Sequence, residues 1–142
     1  NNGAEVILIT GPTHQKVAHS LIHVIPVTSA QEMYNAVHEY FNTMDVAILS
    51  AAVADFKPKE VATQKIKKAA STLTLELEKT KDILASLGAI KKNQYLVGFA
   101  LETNNELENA KGKLKKKHLN LIVLNSLNDK GAGFKSDTNK VT

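Results

Sequence analysis

The run Ser50-Ala51-Ala52-Val53-Ala54-Asp55 ends in a carboxylate, and Lys65-Ile66-Lys67-Lys68 begins ten residues after that aspartate. Small residues at a strand end let a ligand approach the backbone closely. An acidic group beside them offers a hydrogen bond to a hydroxyl or a hold on a metal-bound phosphate. A lysine on the following loop can swing onto a triphosphate, each charge-assisted contact being worth about 1.5–3 kcal/mol. The plainer reading is a buried strand running into a solvated basic loop, and spacing alone favours it, since charged loops are mostly surface. Lys113 and Lys117 stand four apart, so on a helix they share one face and can converge on a single anion. A solvated helix face is again the plainer account. Phe99, next to Gly98 and near Glu102, offers a base a ring to stack on, although a core phenylalanine is commoner.

Other spacings carry less. His19 and His23 have the interval of a helical metal pair, but no acidic third ligand accompanies them and His23 opens a strand. Gly131 and Gly133 lack a third glycine and a following helical pattern, so they form no dinucleotide fingerprint. Walker, Gly-x-Ser-x-Gly and cysteine–histidine arrangements are missing from the sequence.

Charge is unevenly spread. The net charge is +4, yet residues 57–68 carry +4 and residues 106–118 carry +3, which leaves −3 on the rest. All eighteen basic residues are lysine. Two compact lysine clusters on a slightly acidic body suit a polyphosphate at least as well as a nucleic acid. The lack of arginine removes the commonest base-reading contact, so no nucleic acid is expected as partner, although a basic nucleic-acid-binding module stays open as an alternative. A nucleotide-binding domain without catalysis is the other alternative.

The elements that must position these residues follow from length and patterning. With 142 residues, 43% hydrophobic and 23% charged, the chain is sized for one globular domain with a real core. It has no cysteine, which excludes disulfide scaffolds and thiolate chemistry. Its longest apolar run, Val46 to Ala54, is too short to span a bilayer, and no signal peptide is visible; a cytoplasmic protein without membrane contact is expected.

Residues 5–10 and 23–27 read as strands, the first stopped by Gly11-Pro12. Ser29 and Glu32 form a capping box that opens a helix over 29–44, with Ala30, Met33, Tyr34, Val37, Phe41 and Met44 inward. Residues 45–52 read as a central parallel strand. Alternation marks a half-wet strand over 72–78, a helix is expected over 82–91 with Gly88 weakening its last turn, and a buried strand over 95–101. A helix over 105–117, a strand over 119–124 and a glycine loop at 130–134 complete the chain. No repeat or linker divides it. Strands alternating with helices imply an α/β fold with a mostly parallel sheet and helices on both faces. Ligands bind such sheets beyond the carboxyl ends of the strands, which here means Gly11–Thr13, Ser50–Asp55, Phe99–Asn104 and Asn125 onward.

Together these residues resemble the phosphopantothenate–cysteine ligase (phosphopantothenoylcysteine synthetase) family of coenzyme A biosynthesis. The matching signatures are Ser50 through Phe56, Lys65 through Lys68, Leu96 through Asn104, the Lys113/Lys117 pair, and Gly133-Phe134-Lys135-Ser136-Asp137-Thr138-Asn139, in the family's order and spacing. The resemblance implies a Rossmann-like three-layer fold and a CTP- and magnesium-dependent reaction. 4′-Phosphopantothenate becomes an acyl-cytidylate with release of pyrophosphate, and the amine of cysteine then displaces CMP.

By position, the resemblance makes Lys65 the catalytic cation and Ser50, Ala51, Asp55, Lys81, Asp82, Ile83, Leu84, Phe99, Lys113 and Lys117 nucleotide-binding. Ala51 and Ala52 meet the acyl substrate, no protein metal ligand is assigned, and residues 57–71 close over the nucleotide. Where the family has proline before the aspartate of its Asn-Pro-Asp-Ile segment, this chain has Thr80-Lys81-Asp82-Ile83. The resemblance further implies that residues 1–142 are one incomplete ligase domain, lacking an upstream asparagine-bearing strand and loop and the closing C-terminal elements. It implies a homodimer, no FMN in this domain, and a parent protein either freestanding or fused to a flavin-dependent decarboxylase.

Overall fold

A computed structural model describes residues 3–66, 72–126 and 141–142. The expected Lys67–Lys68 part of the basic loop and the Gly131–Asn139 signature lie outside the described residues. Strands β1 (Val6–Thr10) and β2 (Ile22–Pro26) pair in parallel. Helix α1 (Ala30–Phe41) leads to β3 (Val46–Leu49), which pairs in parallel with β6 (Tyr95–Glu102), and β6 with β7 (Leu121–Ser126). A short antiparallel arm joins β4 (Phe56–Pro58) to β5 (Leu77–Lys79). Helix α2 (Ile83–Ile90) precedes β6, and α3 (Glu106–Lys116) precedes β7.

The capping box at α1 forms as its sequence dictates: Ser29 Oγ accepts from the Glu32 amide at 3.2 Å and Glu32 returns the bond to the Ser29 amide at 3.3 Å. Glu32 also accepts from the Thr28 amide at 2.6 Å and from its hydroxyl. Those bonds hold its carboxyl below the usual range, the Thr28 amide most strongly. Met33, Tyr34, Val37 and Phe41 turn one face of α1 onto Leu96 of β6, Ile83 and Leu87 of α2, and Leu119. This is the main core. A smaller cluster sets Ala110 of α3 on Ala100 and Leu124.

Register decides which faces these helices cover. Leu96, Gly98 and Ala100 share one face of β6, and their partners Ala47, Leu49, Ile122 and Leu124 share it too. Both clusters lie on that side. The opposite side carries Val46, Ile48, Tyr95, Phe99, Leu101 and Leu121, all substantially exposed, around a buried Val97, and none of them belongs to either cluster. The expected α/β architecture with mainly parallel strands is present, and the helices of the two clusters pack on one face of the β3–β6–β7 ladder.

Two further differences from the sequence reading have local causes. The ladders stop between β1 and β3, so the parallel strands form a pair and a triplet rather than one sheet. Of the expected 72–78 strand only Leu77 and Glu78 fall in β5, which runs on to Lys79, and Glu76 adds one bond by accepting from the Lys59 amide at 3.0 Å, because their partner β4 is only three residues long. Gly88, expected to weaken α2, is buried where α2 meets the end of α3. A Cβ there would stand 2.0 Å from the Lys117 carbonyl oxygen.

Candidate functional site

The carboxyl end of β3 lies beside the middle of β6, with Leu49 opposite Gly98 and β6 running on to Glu102. One step further, Ser50 emerges beside Phe99. Beyond Ser50 the chain turns sharply, with the Val53 amide bonded to the Ala51 carbonyl at 3.1 Å. Thr80 fastens this turn: its amide donates to the Asp55 carbonyl at 2.9 Å and its hydroxyl to the Ala54 carbonyl at 2.6 Å. The same residue leads into α2, so the clasp fixes the start of that helix against the 50–55 turn.

A cavity of about 790 Å³ opens here and runs back between β1 and β3. Its wall contains Ser50, Ala51, Asp55, Lys81, Asp82, Ile83, Leu84, Phe99 and Lys117, nine of the residues expected from sequence. Residues more than sixty positions apart thus meet at one strand end. Ala52, Lys65 and Lys113 are not in the wall. Lys65 is exposed on the segment after β4, and its ammonium pairs with no described carboxylate.

The lysine pair on α3 does not converge in this structure. Lys117 Nζ bonds the two Asp82 oxygens at 2.9 and 3.2 Å, whereas Lys113 pairs with Glu102 at the end of β6. Each cation is drawn to the nearest carboxylate, which separates their ammonium groups. Glu102, largely buried, also accepts from Asn109 at 3.3 Å, so it anchors α3 to β6. Sequence reading passed over both Thr80 and Glu102. Glu102 stood inside a quoted signature, but it lies on β6 eleven positions before Lys113, so no local spacing signalled the pair.

Five of the eight described lysines of the two clusters are tied up in such pairs. Lys57 meets Glu78 at 3.0 Å, Lys59 meets Glu76 at 2.7 Å and Lys111 meets Glu108 at 3.4 Å, beside Lys113 and Lys117. A surface already neutralised by carboxylates offers a nucleic-acid backbone few counterion-releasing contacts. Among the described residues no three histidine or acidic side chains cluster as metal ligands. His19 instead accepts the Leu21 amide at 3.1 Å. Asp55 stands in the cavity wall as an available carboxylate.

Asp82 caps α2, accepting from the Ala85 amide at 2.9 Å. Burial pushes its carboxyl up, but the Ala85 amide and the Lys117 ammonium outweigh that, so its pKa lies below the ordinary value. A depressed pKa stabilises the fold above the unfolded value of about 3.9 and loses that contribution as pH falls through the folded one. The expected result is that Asp82→Asn unfolds at lower denaturant than wild type at pH 7, and that the gap closes below about pH 4. An equal gap at both pH values would show that charge plays no part.

Residues 1–142 match the family described as the DNA/pantothenate metabolism flavoprotein C-terminal domain. The chain belongs to that family. It is 52% identical over 141 residues to a cysteine/cysteine sulfinic acid decarboxylase from an unknown prokaryotic organism, covering 99% of this chain and 39% of that protein. It is 49% identical over 140 residues to the coenzyme A biosynthesis bifunctional protein CoaBC of Bacillus subtilis (strain 168), covering 99% of this chain and 34% of that one. The crystal structure of the C-terminal domain of a CoaBC protein superposes with a TM-score of 0.74 at 44% identity, over 87% of this chain and 57% of the other. The DNA/pantothenate metabolism flavoprotein of Streptococcus pneumoniae, at 23% identity and a TM-score of 0.77, shares the fold. The chain spans between a third and two fifths of the length of these curated relatives. No helix among the described residues is long and apolar enough to cross a membrane.

Proposed function

We propose that this chain provides the ligase site of a phosphopantothenate–cysteine ligase. The observation that carries the reading is one cavity at the carboxyl end of β3, beside Phe99 of β6, where residues of three separate signature segments meet. CoaBC relatives named for coenzyme A biosynthesis support it. In this reading the carboxylate of 4′-phosphopantothenate attacks the α-phosphorus of CTP, and pyrophosphate leaves with the accompanying magnesium. The acyl-cytidylate that results has a phosphoryl leaving group where the free acid had none. The cysteine amine attacks its acyl carbon, loses a proton and expels CMP.

Phe99 offers the cytosine a face at the mouth of the cavity, and the small Ser50, Ala51 and Ala52 let the reacting centre approach the backbone. Lys117, shared with Asp82, holds phosphate, with Lys113 beside it on α3. The segment after β4 that carries Lys65 closes over the nucleotide, its base tied by the Lys57 and Lys59 ion pairs. The open interval between β1 and β3 supports an incomplete ligase domain that gains a strand there. Exposed Phe56, Leu73, Leu75 and Leu77 on and beside the β4–β5 arm support a homodimer through this arm. The parent is read as a cytoplasmic protein, with any flavin chemistry in another domain.

Calorimetric titration of the full-length protein with magnesium–CTP and magnesium–ATP tests the reading, followed by pyrophosphate release on adding phosphopantothenate. CTP-selective binding and substrate-dependent pyrophosphate release are expected. Indifference to the nucleotide, together with steeply salt-dependent binding of duplex DNA, would overturn it in favour of a nucleic-acid module.

A further inference from the structure

Lys81 sits where sequence resemblance places a proline, and its surroundings give the substitution a role. Lys81 lines the cavity, and its Nζ lies 4.4 Å from the centroid of the ring of Tyr34, which is itself outside the wall. Lys81 immediately precedes the cap of α2, an end of the helix dipole that disfavours a cation. What holds the ammonium in place is therefore the ring.

The ring itself is fixed. It stacks on the His38 imidazole with centroids 4.0 Å apart and planes at 25°. That imidazole is held in turn by the Tyr34 carbonyl, 2.8 Å from Nδ1, and by Ser86 Oγ, 3.2 Å from Nε2. Ser86 belongs to α2, so the stack bridges the two helices that flank the cavity. The Tyr34 hydroxyl has no hydrogen bond to a described residue; its face does the holding.

Two described cations line the cavity, Lys81 and Lys117. Lys117 is engaged by both oxygens of Asp82. Lys81 has only the ring, and an exposed cation–π contact is weaker than a charge-assisted hydrogen bond to a phosphoryl oxygen. A phosphoryl anion entering the cavity therefore takes Lys81 from Tyr34 more readily than it takes Lys117 from Asp82.

We infer that Tyr34 is a positioning residue, whose ring holds the ammonium of the cavity-lining Lys81 in reserve for transfer to a phosphoryl group of the substrate. This rests on the ligase reading above. The phosphoryl group is either the nucleotide's or that of phosphopantothenate, and the KM of each distinguishes them.

The test uses the full-length protein with Tyr34→Phe, Tyr34→Leu, Lys81→Met and the Leu/Met double variant, assayed by pyrophosphate release. Lys81→Met and Tyr34→Leu are expected to raise the KM of one phosphorylated substrate about tenfold while kcat stays within twofold. The substrate affected names the phosphoryl group. Tyr34→Phe keeps the ring and should match wild type, and the double variant should be no worse than Lys81→Met alone. Additive losses, a Tyr34→Phe as damaged as Tyr34→Leu, or unchanged KM values in Lys81→Met would each overturn the inference. If Tyr34→Leu does not fold, Tyr34→Phe and Lys81→Met still decide. A wild-type protein that neither binds CTP nor releases pyrophosphate overturns the ligase reading itself. An active wild type with an indifferent Lys81→Met overturns this inference alone.

Discussion

Gly88→Ala is expected to cost about 3 kcal/mol of stability or more, a large share of what a domain of this size possesses. The added Cβ would stand 2.0 Å from the Lys117 carbonyl oxygen and 2.9 Å from its carbon. Both are backbone atoms, so no rotamer change relieves the contact, and α2 must move away from the end of α3. That movement also separates Asp82 at the start of α2 from Lys117, so the variant should bind nucleotide more weakly even where it remains folded. Gly112 is the control. It lies within α3, and a Cβ there meets nothing within 4 Å, so Gly112→Ala should stabilise by about 0.5–1 kcal/mol through helix propensity. Urea midpoints for the two variants, with unchanged slopes, make the comparison. A Gly88→Ala midpoint equal to wild type would mean that the helices are not in this contact.

That glycine shows where sequence reasoning stops. Its composition-level reading, a weakened helix turn, was a statement about propensity, whereas its actual constraint comes from a carbonyl 29 positions later. Local signals transferred well. The capping box at Ser29 and Glu32 began α1 within a residue of its expected start, and apolar runs located β1, β3 and β6. Helix ends transferred less well: α1 ends at Phe41, before the expected Met44. Long-range pairing did not transfer for residues 72–75, whose alternation promised a strand but which lie outside the β4–β5 ladder, Glu76 being the last to bond across it, to Lys59. Nor did alternation reveal the gap between β1 and β3, because pairing depends on what lies beside a strand and not on its own pattern.

The site divides in the same way. Residues at strand ends were legible because a parallel sheet gathers its carboxyl ends, which is why Ser50, Asp55 and Phe99 could be placed together. The lysines were legible as residues but not as contacts. An i,i+4 pair predicts a shared face, yet Glu102 and Asp82, from two other elements, divide Lys113 from Lys117. Tyr34 was read as a core residue by its helical spacing. It does pack against the core, and its ring also carries Lys81, a contact that no spacing along α1 encodes.

Lys65→Gln in the full-length protein is expected to lower kcat by about a hundredfold to a thousandfold while changing CTP affinity far less. Lys65 is exposed, lies outside the cavity wall and has no ion pair with a described residue. A cation so placed contributes little to the ground-state complex until the segment closes. Negative charge on the phosphates grows as the acyl carboxylate displaces pyrophosphate, and that is when a mobile ammonium is worth most. Lys117 makes the contrasting case. It already stands in the wall on Asp82, so Lys117→Met should raise the CTP KM with a smaller effect on kcat. Stopped-flow pyrophosphate release separates the two, since a loss confined to the transition state appears in the chemical step at saturating CTP. If Lys65→Gln weakened binding and left the saturated rate intact, the segment after β4 would be an affinity element, and charge stabilisation during transfer would have to come from cations already in the cavity.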